Sequence, residues 1–355
     1  MWESIAYTSD KLQEMLEMTE EYYGPDNDIS RREFIEHEYF ENIAGNAYIK
    51  LAYDSEKSRL AGQYVVIPVR IKEGNRICPA VLSLNTLTRK EYRGQKIFVT
   101  LANEVYDECG ENGFRFCYGA PNPNSHPGFI KRLGFQDVGV MPLYLKIIHP
   151  SVLVQEKFGF SLLKLAAKPF DLLFHPCKTA PPVDIVKITD KNVGLFDEFW
   201  ERVKSKYEII GVRDSKYIVW RYIHMPLRNY EIAMATENGK PMGYIIGRIT
   251  NVADMSCGMI VDFLVEENRE EIAAALLKYM EQRFFSQKAG LVGCLMQRHF
   301  EEAHSLTKAG FFICPKRLEP QPFPVIYRTL QETNDKNPAP DFHQWFFTMG
   351  DYDVI

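Results

Sequence analysis

The sequence predicts an α+β protein built as two similar halves in tandem. The chain has 355 residues, long enough for two ordinary domains of about 100–200 residues each. Strand-like and helix-like patterns run in the same order in each half, and landmark residues pair across the halves at a nearly constant offset. Hydrophobic residues make up 46% and charged residues 25%, the balance of a folded chain.

Each half opens on a short strand, around Ile5 or Ile185. Helical segments follow, roughly at 10–22 and 30–42 in the first half and at 192–206 and 214–224 in the second. Alternating apolar runs then predict paired strands. Tyr48–Tyr53 turns into Gln63–Pro68 in the first half, and Tyr230–Ala235 into Tyr244–Gly247 in the second. A long strand leads into a long helix, followed by a strand, a short helix, the dipeptide Gly-Phe and a final strand. Tyr48 and Tyr230 lie 182 residues apart, Gly62 and Gly243 181, and Gly134 and Gly310 176. Changes in loop length produce a drift of that size, so tandem duplication is the economical reading.

The expected division is 1–149, a linker over 150–182, a second domain over 183–330 and a tail over 331–355. Pro150, Pro176, Pro181 and Pro182 punctuate the linker, and Leu162, Leu163, Leu165, Ala166 and Phe170 recur within it at near-helical spacing. That spacing predicts an amphipathic linker helix docked on a domain. In the tail, Phe342, Trp345 and Phe347 form an aromatic run that is expected to dock on the body of the protein.

Other classes are disfavoured. With 42 Lys and Arg against 47 Asp and Glu the net charge is −5, which lacks the global positive field that a nucleic-acid partner calls for. No run approaches the roughly 18–20 apolar residues of a membrane span. Met1-Trp2-Glu3-Ser4 shows neither a basic leader nor an apolar signal core. Seven scattered cysteines without a Cys-x-x-Cys pair speak against a disulfide framework or a metal site and for a reducing, cytoplasmic compartment.

The chemistry concentrates between the apolar strand that runs out to Thr88 and a helix expected from about Gln95. Ile97, Phe98, Leu101, Ala102, Val105 and Tyr106 give that helix a core-facing stripe. Before it stand Arg89, Lys90, Arg93 and Lys96, four cations in eight residues, with Gly94 among them. A helix start exposes unpaired N–H groups and carries partial positive charge, so cations there are unfavourable unless an anion sits on the amides. The second half reads Val265-Glu-Glu-Asn-Arg-Glu-Glu at the matching turn. Acids there satisfy the helix dipole without a ligand and repel phosphate.

The strand, the Tyr92-Arg-Gly-Gln-Lys-Ile-Phe turn, the helix, the strand Arg115–Tyr118, Asn122-Pro-Asn-Ser, and Lys131-Arg-Leu-Gly-Phe together resemble the cofactor-binding core of the GNAT superfamily of acyl-CoA-dependent N-acyltransferases. The resemblance covers about residues 84–146, and by repeat logic extends to both halves. It implies two GNAT-like domains in tandem, each a mixed, mostly antiparallel twisted sheet flanked by helices. The family's turn, Arg/Gln-x-x-Gly-x-Gly/Ala, falls on Arg93, Gly94, Gln95, Lys96, Ile97 and Phe98, so Lys96 and Phe98 stand where the family has small residues.

From the resemblance, the amides of Arg93, Gly94, Gln95, Lys96, Ile97 and Phe98 would cradle the pyrophosphate of an acyl-CoA, with acetyl-CoA expected. Lys96 would add a charge there, and Phe98 would point into the core. Leu87 and Thr88 would pair with the pantetheine arm and polarise the thioester carbonyl, while Asn122 or Asn124, with Ser125, would hold the arm from the next strand end. The family often supplies an acid from a Tyr four residues before the Gly-Phe glycine; this chain has Ile130 there.

Among further residues, His126 is a candidate general base, with a polar loop histidine as its plainer reading. Asp351 or Asp353 would hold a cationic acceptor if the tail reached the first-half cleft. Glu36-His37-Glu38 reads as a solvated helix face, since adjacent helical residues diverge, and His299 and His304 read as structural. Asp262, among apolar strand residues, either lines an acceptor cleft or caps a buried network. The expected activity is N-acylation of a small amine, such as an amino sugar or amino acid derivative, with the second half shaping the acceptor site. Alternatives are an aminoacyl transferase of the same architecture and a non-catalytic CoA-binding or interaction module.

Overall fold

A computed structural model describes residues 1–158, 168, 171, 183–252, 255–331 and 339–352. The expected linker helix around Leu162 to Phe170, and Asp353 of the tail, lie outside the described residues. The chain forms two compact units. One holds Met1–Gly139, His224–Leu227 and Phe323–Phe342; the other holds Val140–Ile223, Arg228–Pro322 and the chain from His343 onward.

In chain order the first stretch contains β1 (Trp2–Ala6), α1 (Leu12–Tyr23), α2 (Arg32–Phe40), β2 (Tyr48–Asp54), β3 (Arg59–Glu73), β4 (Arg76–Thr88), α3 (Ile97–Glu111), β5 (Phe116–Gly119), α4 (His126–Arg132) and β6 (Gln136–Val140). Next come β7 (Leu143–Ile147), α5 (Pro150–Phe158), β8 (Asp184–Lys187), α6 (Leu195–Val203), β9 (Ile209–Gly211), α7 (Ser215–Ile218) and β10 (Glu231–Glu237). The chain continues with β11 (Lys240–Val252), β12 (Met255–Val265), α8 (Glu270–Ser286), β13 (Leu291–Leu295), α9 (Glu301–Lys308), β14 (Phe312–Ile313), β15 (Pro324–Thr329) and β16 (Trp345–Phe346).

The sheet of the first unit runs β1-β2-β3-β4-β5-β15-β6, and that of the second runs β14-β7-β13-β12-β11-β10-β8. In the first, β4 and β5 are parallel among antiparallel neighbours. In the second the parallel pair is β12 and β13. The two sheets therefore follow one plan, and the expected α+β class with two mostly antiparallel sheets holds.

The last strands depart from a simple head-to-tail division. β7, before residue 149, pairs with β13 in the second unit, and β15, near the far end of the chain, pairs with β5 in the first. An apolar run specifies a strand but not its neighbour, so this exchange left no local mark.

The first unit's core forms where the α3 stripe (Ile97, Leu101, Ala102, Val105, Tyr106, Cys109) meets Tyr64, Val66, Val81 and Cys117 of the sheet, with Ile326 from β15. Each large apolar side chain so buried contributes roughly 1.5–3 kcal/mol. Gly62 lets β3 approach this helix, because a Cβ there would lie 2.9 Å from the Leu87 carbonyl and 3.0 Å from Ile97 Cγ2. Gly243 does the same in the second unit, where a Cβ would lie 2.8 Å from Val265 Cγ1 and 3.2 Å from Ile272 Cγ2. Alanine at either glycine is expected to push strand from helix and cost about 1–3 kcal/mol, the usual penalty of overpacking. Chemical denaturation of each variant checks this.

Two local expectations need correction. The helix expected over 214–224 runs as α7 only to Ile218, and Val219–Ile223 continues as a π-helix. The Asp214 side chain accepts the Tyr217 N–H at 2.9 Å to cap its start. The Glu36-His37-Glu38 segment is not a solvated face. His37 is 7% and Glu38 0% exposed, because α2 turns both inward; His37 bonds Glu41 at 2.8 Å, and Asn85 of β4 donates to Glu38 at 3.4 Å.

Candidate functional site

In the first unit the parallel pairing of β4 with β5 covers only Val81–Ser83 against Cys117–Gly119. β5 ends there, while β4 continues to Thr88 paired with β3 alone. Asn85, at φ 48°, introduces a bulge opposite Gln63–Val65. The Gln63 amide donates to the Asn85 carbonyl at 2.9 Å and holds the bulge open. The strands diverge beyond it, and a cavity of about 670 Å³ lies in the opening, walled by Thr86, Leu87 and Thr88 on one strand and by Asn122, Asn124 and Ser125 after the other.

The turn between β4 and α3 is anchored from below. Arg89 N donates to the Ala61 carbonyl at 2.9 Å. Buried Tyr92 donates to Asp54 at 2.7 Å, and burial together with that carboxylate pushes its hydroxyl up to about 12. Gly94 (φ 83°) and Lys96 (φ 64°) both take left-handed backbone conformations, which glycine adopts freely and lysine does not. The amides of Gly94, Gln95, Lys96, Ile97 and Phe98 donate to no acceptor among the described residues; the helix's own bonding starts with Val99 N to Lys96 O at 3.1 Å. Successive bare amides at a left-handed turn and helix start form an anion-binding concavity. A Cβ on Gly94 would meet nothing within 4 Å, so the turn is open to a ligand.

The cavity gathers Leu87, Thr88, Arg93, Phe98, Asn122, Asn124 and Ser125 from the expected set. Gly94, Gln95 and Lys96 stand exposed on the turn, and Ile97 is buried in the core. The Asn122 side-chain oxygen accepts the amides of Asn124 (2.9 Å) and Ser125 (3.0 Å), which fixes the loop. Phe98 divides its ring between two roles. It packs on Phe129 at 5.2 Å and Tyr64 at 5.9 Å, as a core residue would, yet it also walls the cavity.

Other expected residues lie elsewhere. His126 bonds Asp137 at 2.6 Å and is not on the cavity lining. Arg89, one of the four turn cations, is spent on Glu21 and on the Leu60 carbonyl at 2.8 Å. Ile130 packs against the core. Sequence reasoning missed Lys131, Arg132, Tyr22 and Tyr23, which the structure adds to the lining. A signal for the two cations existed in Lys131-Arg-Leu-Gly-Phe, but nothing in it tells which way they point.

The second unit answers the same geometric problem with its own side chains. Asn268 N donates to Glu301 of α9 at 3.1 Å. Arg269 pairs with Glu271 and Glu237. Arg269, followed by its own amide, holds the Glu271 carboxyl below its ordinary range. Where the first unit leaves amides bare, carboxylates close the turn.

Asp351 belongs to a buried cluster in the second unit. Arg213, 1% exposed, reaches Asp262 at 2.9 Å and Asp351 at 2.6 Å. Tyr222 donates to Asp262 at 3.3 Å, and Thr348 N donates to Asp351 at 2.9 Å. Burial pushes the Asp262 carboxyl up, and Arg213 draws it back. Of the two readings of Asp262, the structure takes the buried network, and the cation that Asp351 holds is Arg213. Trp345, Phe346 and Phe347 are buried beside this cluster's chain, with β16 parallel to β9. His299 lies 4.5 Å from His343 ring to ring, and His304 is exposed, 3.9 Å from Glu270. Among the described residues no group of three or more His, Cys, Asp or Glu could hold a metal ion, and no helix is long and apolar enough to cross a membrane.

Residues 4–138, which carry the splayed parallel pair and the bare-amide turn, match the family described as acetyltransferase (GNAT) domain. That region matches the model of a GNAT domain, and the chain carries a tandem GNAT-like fold. Among solved structures, a GCN5-related N-acetyltransferase from Anabaena variabilis is similar over 93% of this chain and 73% of its own, at 13% identity and a TM-score of 0.65. The N-myristoyltransferase of Saccharomyces cerevisiae, solved with bound myristoyl-CoA, is similar over 97% of this chain and 87% of its own, at 11% identity and a TM-score of 0.66. A probable N-acyltransferase from Enterococcus faecalis is similar over 93% and 73%, at 12% identity and a TM-score of 0.57. No curated protein matches the chain in sequence.

Proposed function

We propose that the protein is an acyl-CoA-dependent N-acyltransferase whose donor is acetyl-CoA and whose acceptor is a small amine, such as an amino sugar or amino acid derivative. The reading rests above all on the bare amides of Gly94–Phe98 at the mouth of a cavity whose wall is the unpaired edge of β4. Those amides and Arg93 take the pyrophosphate. The open edge at Leu87 and Thr88 pairs with the pantetheine arm, as a further strand would, and an N–H there polarises the thioester carbonyl as the amine attacks it. The nitrogen–carbon bond forms, the carbon–sulfur bond breaks, and the amine's proton is lost to solvent. Ile130 offers no proton to the departing sulfur. A thiol with a pKa of roughly 8.5 leaves tolerably as thiolate near neutral pH, so this loss lowers the rate without abolishing the reaction. The second unit, its turn closed by Glu301 and Glu271, takes no acyl-CoA.

Calorimetry with acetyl-CoA, followed by thiol release against a panel of amines, tests this. One equivalent bound per chain, with thiol released on some amines, is the expected result. Binding with no turnover on any amine would favour a CoA-binding module, and no binding at all would leave the aminoacyl-transferase or the interaction-scaffold reading.

A further inference from the structure

The cavity of the first unit carries more positive charge than a pyrophosphate needs. Arg93 lines it beside the bare amides, and Lys131 and Arg132, from the last turn of α4, line it as well, with no Asp or Glu among the lining residues. None of the three makes an ion pair among the described residues, whereas Arg59, Arg89 and Arg115 of the same unit pair with Glu91, Glu21 and Glu73. Cations in a helix's last turn suit its dipole. That accounts for their charge, but it does not account for their both facing a cavity without a counter-ion.

We propose that Lys131 and Arg132 form a second phosphate subsite that binds the 3′-phosphate of the CoA ribose, so that the cavity selects CoA over its 3′-dephospho form. This rests on the acyl-CoA reading above. The charges match: a pyrophosphate diester carries two negative charges, met by the Gly94–Phe98 amides and Arg93. A phosphomonoester adds roughly −1.5 to −2 near neutral pH, which two cations balance. Arg supplies a planar fork for phosphate oxygens and Lys a mobile point charge. At the matching place in the second unit the described residues differ: α9 opens with Glu301 and Glu302, and its last-turn cation, Lys308, pairs with Glu270 at 2.6 Å.

The test is a ligand-by-variant cycle on the full chain. Dissociation constants for CoA and 3′-dephospho-CoA are measured by calorimetry for the wild type and for the Lys131→Gln/Arg132→Gln double variant. The wild type is expected to prefer CoA by about tenfold or more, equivalent to about 1.4 kcal/mol. The double variant should lose that preference while keeping its affinity for 3′-dephospho-CoA within about twofold. Lys131→Arg, which retains the charge, should keep the preference. A wild type that binds both ligands equally, or a variant that weakens both by the same factor, would overturn the subsite and leave the acyl-CoA reading intact. A wild type that binds neither overturns both. Because all three cations are at the surface, unchanged thermal unfolding of the variants separates a ligand contact from a merely structural one.

Discussion

Arg213→Met should destabilise the protein by about 3–5 kcal/mol, the usual cost of removing one partner from a buried ion pair. Asp262 and Asp351 would be left facing one another without the guanidinium that now lies 2.9 and 2.6 Å from them. Burial already pushes the Asp262 carboxyl up against the pull of Arg213, so the variant raises it further. The pH dependence follows with a definite sign. A carboxyl raised in the folded state keeps its stability at low pH, where it is protonated in both states, and loses it as pH rises through the folded value. The deficit of the variant relative to the wild type should therefore shrink towards pH 4–5 and be largest above neutrality. Urea unfolding at two pH values measures this, and a deficit that is independent of pH would show that the cluster holds by packing rather than charge.

Gly94→Asp should weaken acetyl-CoA binding by tenfold to several hundredfold. A carboxylate set about 4 Å from a phosphate costs roughly 1–4 kcal/mol between the limits of water and a protein surface. The glycine's φ of 83° adds strain for any side chain, although the space for one is open. The loss should diminish in high salt, because the site is exposed and its charges are screened. Lys96→Glu gives a sharper result, because two effects of opposite sign separate. An acid at the start of α3 improves the helix dipole by about 0.3–1 kcal/mol, so the variant should unfold no more easily while binding the ligand less well. Asn268→Asp, at the matching turn of the second unit, should leave affinity unchanged. Equal losses from the two turns, read by calorimetry, would contradict a ligand seated in the first unit alone.

Much of the architecture was legible because it is written locally. Alternation marked β2, β3, β10 and β11, and the 3.6-residue stripe marked α3 nearly to its first residue. Gly62 and Gly243 pair in the sequence, and in the structure both sit where a strand must graze the end of its neighbour and the start of the following helix. What escaped was written in partners. Leu143–Ile147 and Pro324–Thr329 read as strands, but their neighbours are set by the whole sheet. His37 and Glu38 looked solvated because adjacent helical residues diverge, and the depth at which α2 is buried decides otherwise. Arg89 belonged by spacing to the anion turn, yet Glu21, far away in sequence, claims it. Lys131 and Arg132 were visible as charges only. Their common direction comes from the placement of α4, which no pattern within seven residues encodes.

The exchange of β7 and β15 sets an order for the birth of the protein. While the chain emerges from the ribosome, the first sheet lacks an interior strand until residue 329 has been made, so β5 waits with an open edge through most of synthesis. Cutting the gene in the 150–182 segment would yield two products, one deprived of its closing strand and the other left holding it. Each sheet would then be complete only if both pieces were made together, since each piece holds a strand of the other's sheet.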